Sequence, residues 1–97
     1  MLGVIFIKVV INEKAKKLLK ENQRDIFVEL KGWNNWNCST ELKPSVSIGT
    51  PKNTNAFDFF EVEKYNIYVS RMIPEDAFVE ISSANFYGLD YLIAYIK

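Results

Sequence analysis

Residues 9–18, with the sequence VVINEKAKKL, decide the fold class, because they pass from a strand to a helix at one residue. Val and Ile dominate residues 4–11, which predicts a strand there. Asn12 is a good helix N-cap, and Glu13 favours the helix dipole, so we expect a helix over roughly residues 13–21. Its apolar face is formed by Ile11, Ala15, Leu18 and Leu19, and lysines occupy most of the remaining surface.

Short segments with a β pattern fill the rest of the chain. In residues 26–31, the side chains of Ile26, Val28 and Leu30 alternate with more polar ones and predict a strand with one dry face. The other predicted strands are 46–48, 56–63, 65–70, 78–81 and 91–96. One helix and about seven short strands predict a single α+β domain over residues 1–97, dominated by mixed or antiparallel sheet.

Turns and loops are predicted between these segments. Residues 32–45 are expected to form a loop, and residues 82–88 a turn or a short helical piece. Residues 56–70 are expected to form a hairpin that offers four side chains to the core. These side chains are Phe57, Phe59, Val62 and Tyr68.

Composition limits the classes of function. The 97 residues are 48% hydrophobic and have a formal net charge of zero, which fits a compact domain and argues against a dedicated nucleic-acid binder. The only cysteine cannot form an intrachain disulfide, which predicts a reducing, cytoplasmic compartment. The apolar start of the chain has no basic leader and is interrupted by Lys8, so neither a signal peptide nor a membrane span is expected.

The charges are unevenly distributed along the chain. Residues 1–31 carry seven basic and four acidic side chains, whereas residues 56–97 carry three basic and seven acidic ones. Two interpretations stay open. The asymmetry either supports self-association into a homodimer or reflects an ordinary solvated helix and solvated strands.

Residues 32–40, with the sequence GWNNWNCST, form the candidate functional loop. Cys38 is the only strong nucleophile or soft metal ligand in the chain, and the alternative is a structural cysteine packed under the loop. Trp33 and Trp36 either stack on a ligand or anchor the loop. Asn37 and Ser39 flank the thiol and complete the candidate ligand-contacting residues.

Ordinary catalytic machinery is not expected. The chain has no histidine, which excludes a Ser-His-Asp triad, and its four glycines stand far apart, so no phosphate-binding loop is present. Glu61 and Glu63 would share the wet face of a strand, which favours solvated carboxylates over general acid–base work. We therefore predict that the protein is not an enzyme.

The order of these segments resembles the HesB/IscA-like fold, and more closely its small CC/Se motif branch. The similarity rests on the strand and Asn-capped helix of residues 9–18, on the strand of residues 26–32 and on the cysteine loop. Matching later segments are 44–46 (Pro-Ser-Val), 49–53 (a Gly-x-Pro turn), 67–69 and 86–89. The resemblance implies a role in iron–sulfur cluster assembly or thiol redox chemistry, with iron–sulfur assembly proteins as partners.

The sequence departs from that pattern at its ligands. The cysteine pair is reduced to Cys38, and the C-terminal Cys-Gly-Cys of A-type iron–sulfur carriers is absent. The resemblance then implies that Cys38 holds iron or a cluster only when two subunits share it. The alternative is a non-catalytic interaction or small-ligand-binding module that uses the aromatic loop 32–40.

Overall fold

The computed structural model describes residues 7–34 and 40–97, and the side chains of residues 7–32 and 43–97. The described part contains one α-helix and seven strands, as the sequence predicts. They are β1 (Lys8–Ile11), α1 (Glu13–Leu18), β2 (Asp25–Asn34), β3 (Thr40–Ile48), β4 (Phe57–Val62), β5 (Tyr65–Ser70), β6 (Phe78–Phe86) and β7 (Leu89–Ile96). A single 3₁₀ turn, Thr54–Ala56, precedes β4.

The strands form two mixed sheets, which confirms the α+β class. The three-stranded sheet has the order β1-β6-β7, with β1 parallel and β7 antiparallel to β6. The four-stranded sheet has the order β3-β2-β5-β4, in which only the central β2–β5 pair is parallel. Both sheets and the helix contribute to one buried cluster, whose members with no exposure are Ala15, Ile26, Val28, Ile67, Val69, Val79 and Ile81.

The helix begins at the predicted cap and ends earlier than expected. The Asn12 side chain accepts a hydrogen bond from the Ala15 amide at 3.0 Å. Leu19 has φ −80° and ψ 132°, so the chain leaves the helical conformation there rather than near residue 21. Leu19 is buried in the core, and we attribute the early end of the helix to this burial.

Several strands are longer than predicted. β2 and β3 pair from Ile26↔Ile48 to Asn34↔Thr40, so most of the expected loop 32–45 is a ladder. Pro44 does not interrupt it. The Gly49 amide donates to the Asp25 carbonyl, so these two residues form a hydrogen-bonded pair at the start of the ladder. Hydrogen-bonded and non-hydrogen-bonded pairs alternate along an antiparallel ladder, and the pair of Leu30 with Pro44 is of the second kind, which needs no amide from Pro44.

The predicted turn or helical piece at residues 82–88 is wrong over most of its length. β6 continues to Phe86, and the turn is confined to Tyr87 and Gly88. The ladder to β7 is unbroken from Val79↔Ile96 to Phe86↔Leu89, and its hydrogen bonds hold this segment as a strand.

The core prediction for the β4–β5 hairpin is correct only for Val62. A two-residue turn sets the register Val62↔Tyr65, which directs Phe60 and Val62 to the core. The alternate residues Phe57, Phe59 and Tyr68 therefore lie on the outer face of the four-stranded sheet. Within the described residues, no helix is long and apolar enough to cross a membrane.

Candidate functional site

Most of the predicted loop lies beyond the described residues. Trp36, Asn37, Cys38 and Ser39 fall within the undescribed segment 35–39. The backbone of Trp33 belongs to β2, where it pairs with Glu41. The proposed roles of these five loop residues, including the metal or cofactor role of Cys38, stay predictions.

The β6–β7 tip, defined as residues 86–89, is the most exposed apolar feature of the described structure. Tyr87 (φ 50°) and Gly88 (φ 82°) both have positive φ, which is the pattern of a type I′ turn. The Asn85 side chain fixes the turn, because its Oδ1 accepts from the Gly88 amide at 3.2 Å and its Nδ2 donates to Asp90 Oδ1 at 2.8 Å. Local hydrogen bonds therefore stabilise this turn conformation.

The side chains of this tip are large and face solvent. Tyr87 is 91% exposed, Leu89 72% and Phe86 62%. The rings of Phe86 and Tyr87 meet edge to face, with centroids 4.5 Å apart. An aromatic, solvent-facing tip has the chemistry of a protein contact surface.

A groove of about 360 Å³ lies beside the tip, between the edges of the two sheets. We call it the edge groove. Its apolar lining consists of Leu18, Val46, Ile48, Tyr91 and Leu92. Lys20, Gln23 and Asp90 supply its polar rim. Ile48 and Tyr91 remain about half exposed, so the described side chains only partly fill the groove.

A second group of aromatic residues crosses the outer face of the four-stranded sheet. Phe27, Tyr68 and Phe59 occupy matching register positions on β2, β5 and β4. The Phe59 and Tyr68 ring centroids are 5.2 Å apart. Phe57 meets Phe27 edge to face at 5.9 Å and 85°. These rings pack on one another rather than in the core.

The segment after β3 closes one end of this aromatic face. This segment and the aromatic face bound a depression of about 330 Å³, which we call the outer depression. Its lining residues are Phe27, Glu29, Pro51, Lys52, Asn53 and Phe57. It combines two aromatic walls with polar groups, which is the usual composition of a small-molecule site.

One ion-pair network links the helix to the β4–β5 turn. Lys16 Nζ lies 2.7 Å from Glu63 Oε2 and 3.2 Å from Glu13 Oε1. The hydrogen bond to Glu63 raises the pKa of Lys16 above its ordinary value, while desolvation of the ammonium opposes the rise. Part of the basic excess of the N-terminal third is thus neutralised within the chain by the acidic C-terminal part.

No metal cluster is evident in the described part of the chain. Among residues 7–34 and 40–97, no three or more Asp, Glu or Cys side chains are placed to hold one ion. Cys38 lies outside this range, so the finding does not bear on its predicted role.

Residues 7–97 match the sequence model of the CC/Se motif containing family. The chain belongs to this family. The wider assignment to the HesB/IscA-like fold is wrong, because the matching family model is not a HesB/IscA one. What fails is the placement of the CC/Se pattern as a branch of that fold, whereas the narrower resemblance agrees with the matching family model. No curated protein and no solved structure matches the chain.

Family membership bears on the role of the Cys38 thiol. The family description names a CC/Se motif, and this CC/Se family member has a single cysteine, so no adjacent pair of cysteines exists in it. The predicted role in iron–sulfur cluster assembly rested on the HesB/IscA assignment and has no support without it.

Sequence reasoning missed both the exposed β6–β7 tip and the outer depression. The β6–β7 tip carried a signal, because a Tyr-Gly pair between two β-patterned runs fits a two-residue turn. The outer depression carried no comparable local signal. It joins residues from β2, β4 and the segment after β3, which only the register of the four-stranded sheet brings together.

Proposed function

We propose that this CC/Se family member is a non-catalytic interaction module, and that the β6–β7 tip of one copy docks into the edge groove of a second copy. The conformation of Tyr87 carries the proposal. A bulky residue at φ 50° costs about 1 kcal/mol relative to residues that tolerate the left-handed region, and among the described rings its side chain meets that of Phe86 alone. Such strain at a solvent-facing aromatic residue supports a binding role.

The position of the edge groove supports a symmetric partner. The groove and the tip are neighbours, because Asp90 and Tyr91 line the groove and directly follow Leu89. In a two-fold dimer each copy presents the same surface, so each tip lies against the partner's groove. Leu89 and Phe86 then bury apolar area against Val46 and Ile48 of the other copy, which is the chief source of affinity in such contacts.

Analytical ultracentrifugation of the full chain tests this proposal. We expect the wild-type protein to shift from monomer to dimer between micromolar and millimolar concentrations. Phe86→Thr and Leu89→Thr each place a residue of high β propensity in the ladder and remove the large apolar side chain. Each variant should therefore shift the monomer–dimer transition to a higher protein concentration. Phe59→Thr is the matched control, because Phe59 is 55% exposed on the other sheet and should dimerise like the wild type.

Two results would overturn the proposal. One is a wild-type protein that sediments as a monomer over the whole concentration range. The other is equal weakening by Phe86→Thr and Phe59→Thr, which indicates loss of general surface hydrophobicity rather than loss of one interface.

The family match favours a second candidate, thiol chemistry at Cys38. The family is described by a CC/Se motif, and Cys38 is the only thiol of this chain. A reactive cysteine has a thiol pKa below the free value of about 8.5. The rate of alkylation as a function of pH measures this value, with Cys38→Ser as the unreactive control. A pKa at or above the free value supports a structural cysteine instead.

A further inference from the structure

The outer depression has the size and wall chemistry of a small-ligand site. Its volume of about 330 Å³ lies at the lower end of the range of about 300–1,000 Å³ that such sites occupy. Phe27 and Phe57 stand nearly perpendicular, with an interplanar angle of 85°. Two perpendicular rings form a corner in which a third flat ring stacks on one face and meets the edge of the other.

The polar groups at the rim favour an anionic ligand. Lys52 lines the depression and forms no ion pair with any residue in the described ranges. Asn53 precedes the 3₁₀ turn, and its side chain caps no amide of that turn. Glu29 is the one acidic lining residue, and Lys31 Nζ lies 3.8 Å from its Oε1 and offsets its charge.

Asp25 holds the segment that carries these groups. Its carbonyl accepts from the Gly49 amide at 2.7 Å, and its carboxylate accepts from Asn66 Nδ2 at 2.8 Å and from Thr50 Oγ1 at 3.5 Å. Pro51 is buried against the sheet. The backbone that carries Lys52 is therefore held beside the two rings before any ligand arrives, which lowers the entropic cost of binding.

We infer that the outer depression binds a small aromatic carboxylate, with its ring in the corner of Phe27 and Phe57 and its carboxylate on Lys52 Nζ and the Asn53 amide. A rigid, flat ring matches the aromatic corner at a low cost in ligand entropy. Lys52, which has no ion-pair partner among the described residues, matches a single negative charge. The site shares no lining residue with the β6–β7 tip, so it is independent of the dimer proposed above.

Amide NMR of the full chain with phenylacetate as the probe tests the inference. We expect saturable shifts of the amides of residues 27–29 and 50–57. The neutral analogue phenylacetamide should bind at the same residues but more weakly. Lys52→Gln should weaken phenylacetate binding by about threefold to fivefold, as expected for one exposed ion pair, and leave phenylacetamide binding unchanged.

Two further variants separate the ring contact from general charge effects. Phe57→Leu should weaken both probes, because both use the aromatic corner. Lys14→Gln is the matched control, since it removes one exposed positive charge on α1, outside the depression. The inference is overturned if phenylacetate causes no saturable shift at residues 27–29 and 50–57. It is equally overturned if Lys14→Gln weakens phenylacetate binding as much as Lys52→Gln does.

Discussion

Asn12 donates a hydrogen bond from Nδ2 to Ser82 Oγ at 2.7 Å, although 70 positions separate the two residues. The same side chain caps the helix through the Ala15 amide, and the Asn12 backbone amide donates to the Ile81 carbonyl at 2.9 Å. One residue therefore joins the start of α1 to the central strand of the three-stranded sheet. The helix is positioned by this junction as well as by its buried face.

Replacement of Asn12 should destabilise the whole domain. Asn12→Ala removes the cap and the bond to Ser82, and we expect a loss of about 1–2 kcal/mol in the free energy of unfolding. Asn12→Ser retains a capping hydroxyl that is too short to reach Ser82, so its loss should be intermediate. Urea denaturation measures both, and Asn22→Ala, at an exposed position beyond the helix, is the control. Equal losses for Asn12→Ala and Asn22→Ala would contradict the dual role.

Tyr87→Asn should raise stability slightly. Asn tolerates positive φ, and we expect about 1 kcal/mol from relief of the backbone, less about 0.5 kcal/mol for the lost ring contact with Phe86. The net gain of about 0.5 kcal/mol is measurable as a higher Tm. The same variant should weaken the dimer proposed above. A variant that is less stable than the wild type would show that Tyr87 contributes packing that exceeds its strain.

The isoleucines of one cross-strand pair should respond very differently to truncation. Ile26 is 0% exposed and Ile48 is 46% exposed, although they are register partners on β2 and β3. Ile26→Ala leaves a cavity in the core and should cost about 2–5 kcal/mol. Ile48→Ala borders the edge groove and should cost less than about 1 kcal/mol. Thermal unfolding of dilute, monomeric protein compares the two, and similar losses would contradict the described burial.

Because of the Lys16–Glu63 ion pair, the free energy of unfolding should depend on pH in the alkaline range. The pKa of Lys16 is raised above 10.5 in the folded state, so its contribution to stability is complete below 10.5 and is lost as the pH rises through the folded-state pKa. Glu63→Gln removes the main cause, and NMR titration of the lysine side chains should show a lower pKa for Lys16. An unchanged Lys16 pKa in this variant would rule out Glu63 as the cause.

Parts of the fold were predictable because local physics decides them. The cap at Asn12 and the dry face of Ile26 and Val28 follow from side-chain chemistry and from the two-residue period of a strand. Helix length was not predictable, because burial of Leu19 in the core competes with helix propensity. The side of the sheet on which Phe57, Phe59 and Tyr68 lie was not predictable either, because a shift of one residue in register reverses the two faces.

The sequence by itself determined the α+β class, the start of α1, the strand patterns and the narrow limits on catalysis that follow from a chain without histidine and with one cysteine. Only the tertiary structure decided that Phe86, Tyr87 and Leu89 form an exposed tip, and that Phe27, Phe57 and Lys52 meet at one depression. The physical reason is the separation along the sequence over which each interaction acts. Capping and alternation act between residues a few positions apart, whereas surfaces and pockets depend on strand order and register across the whole chain.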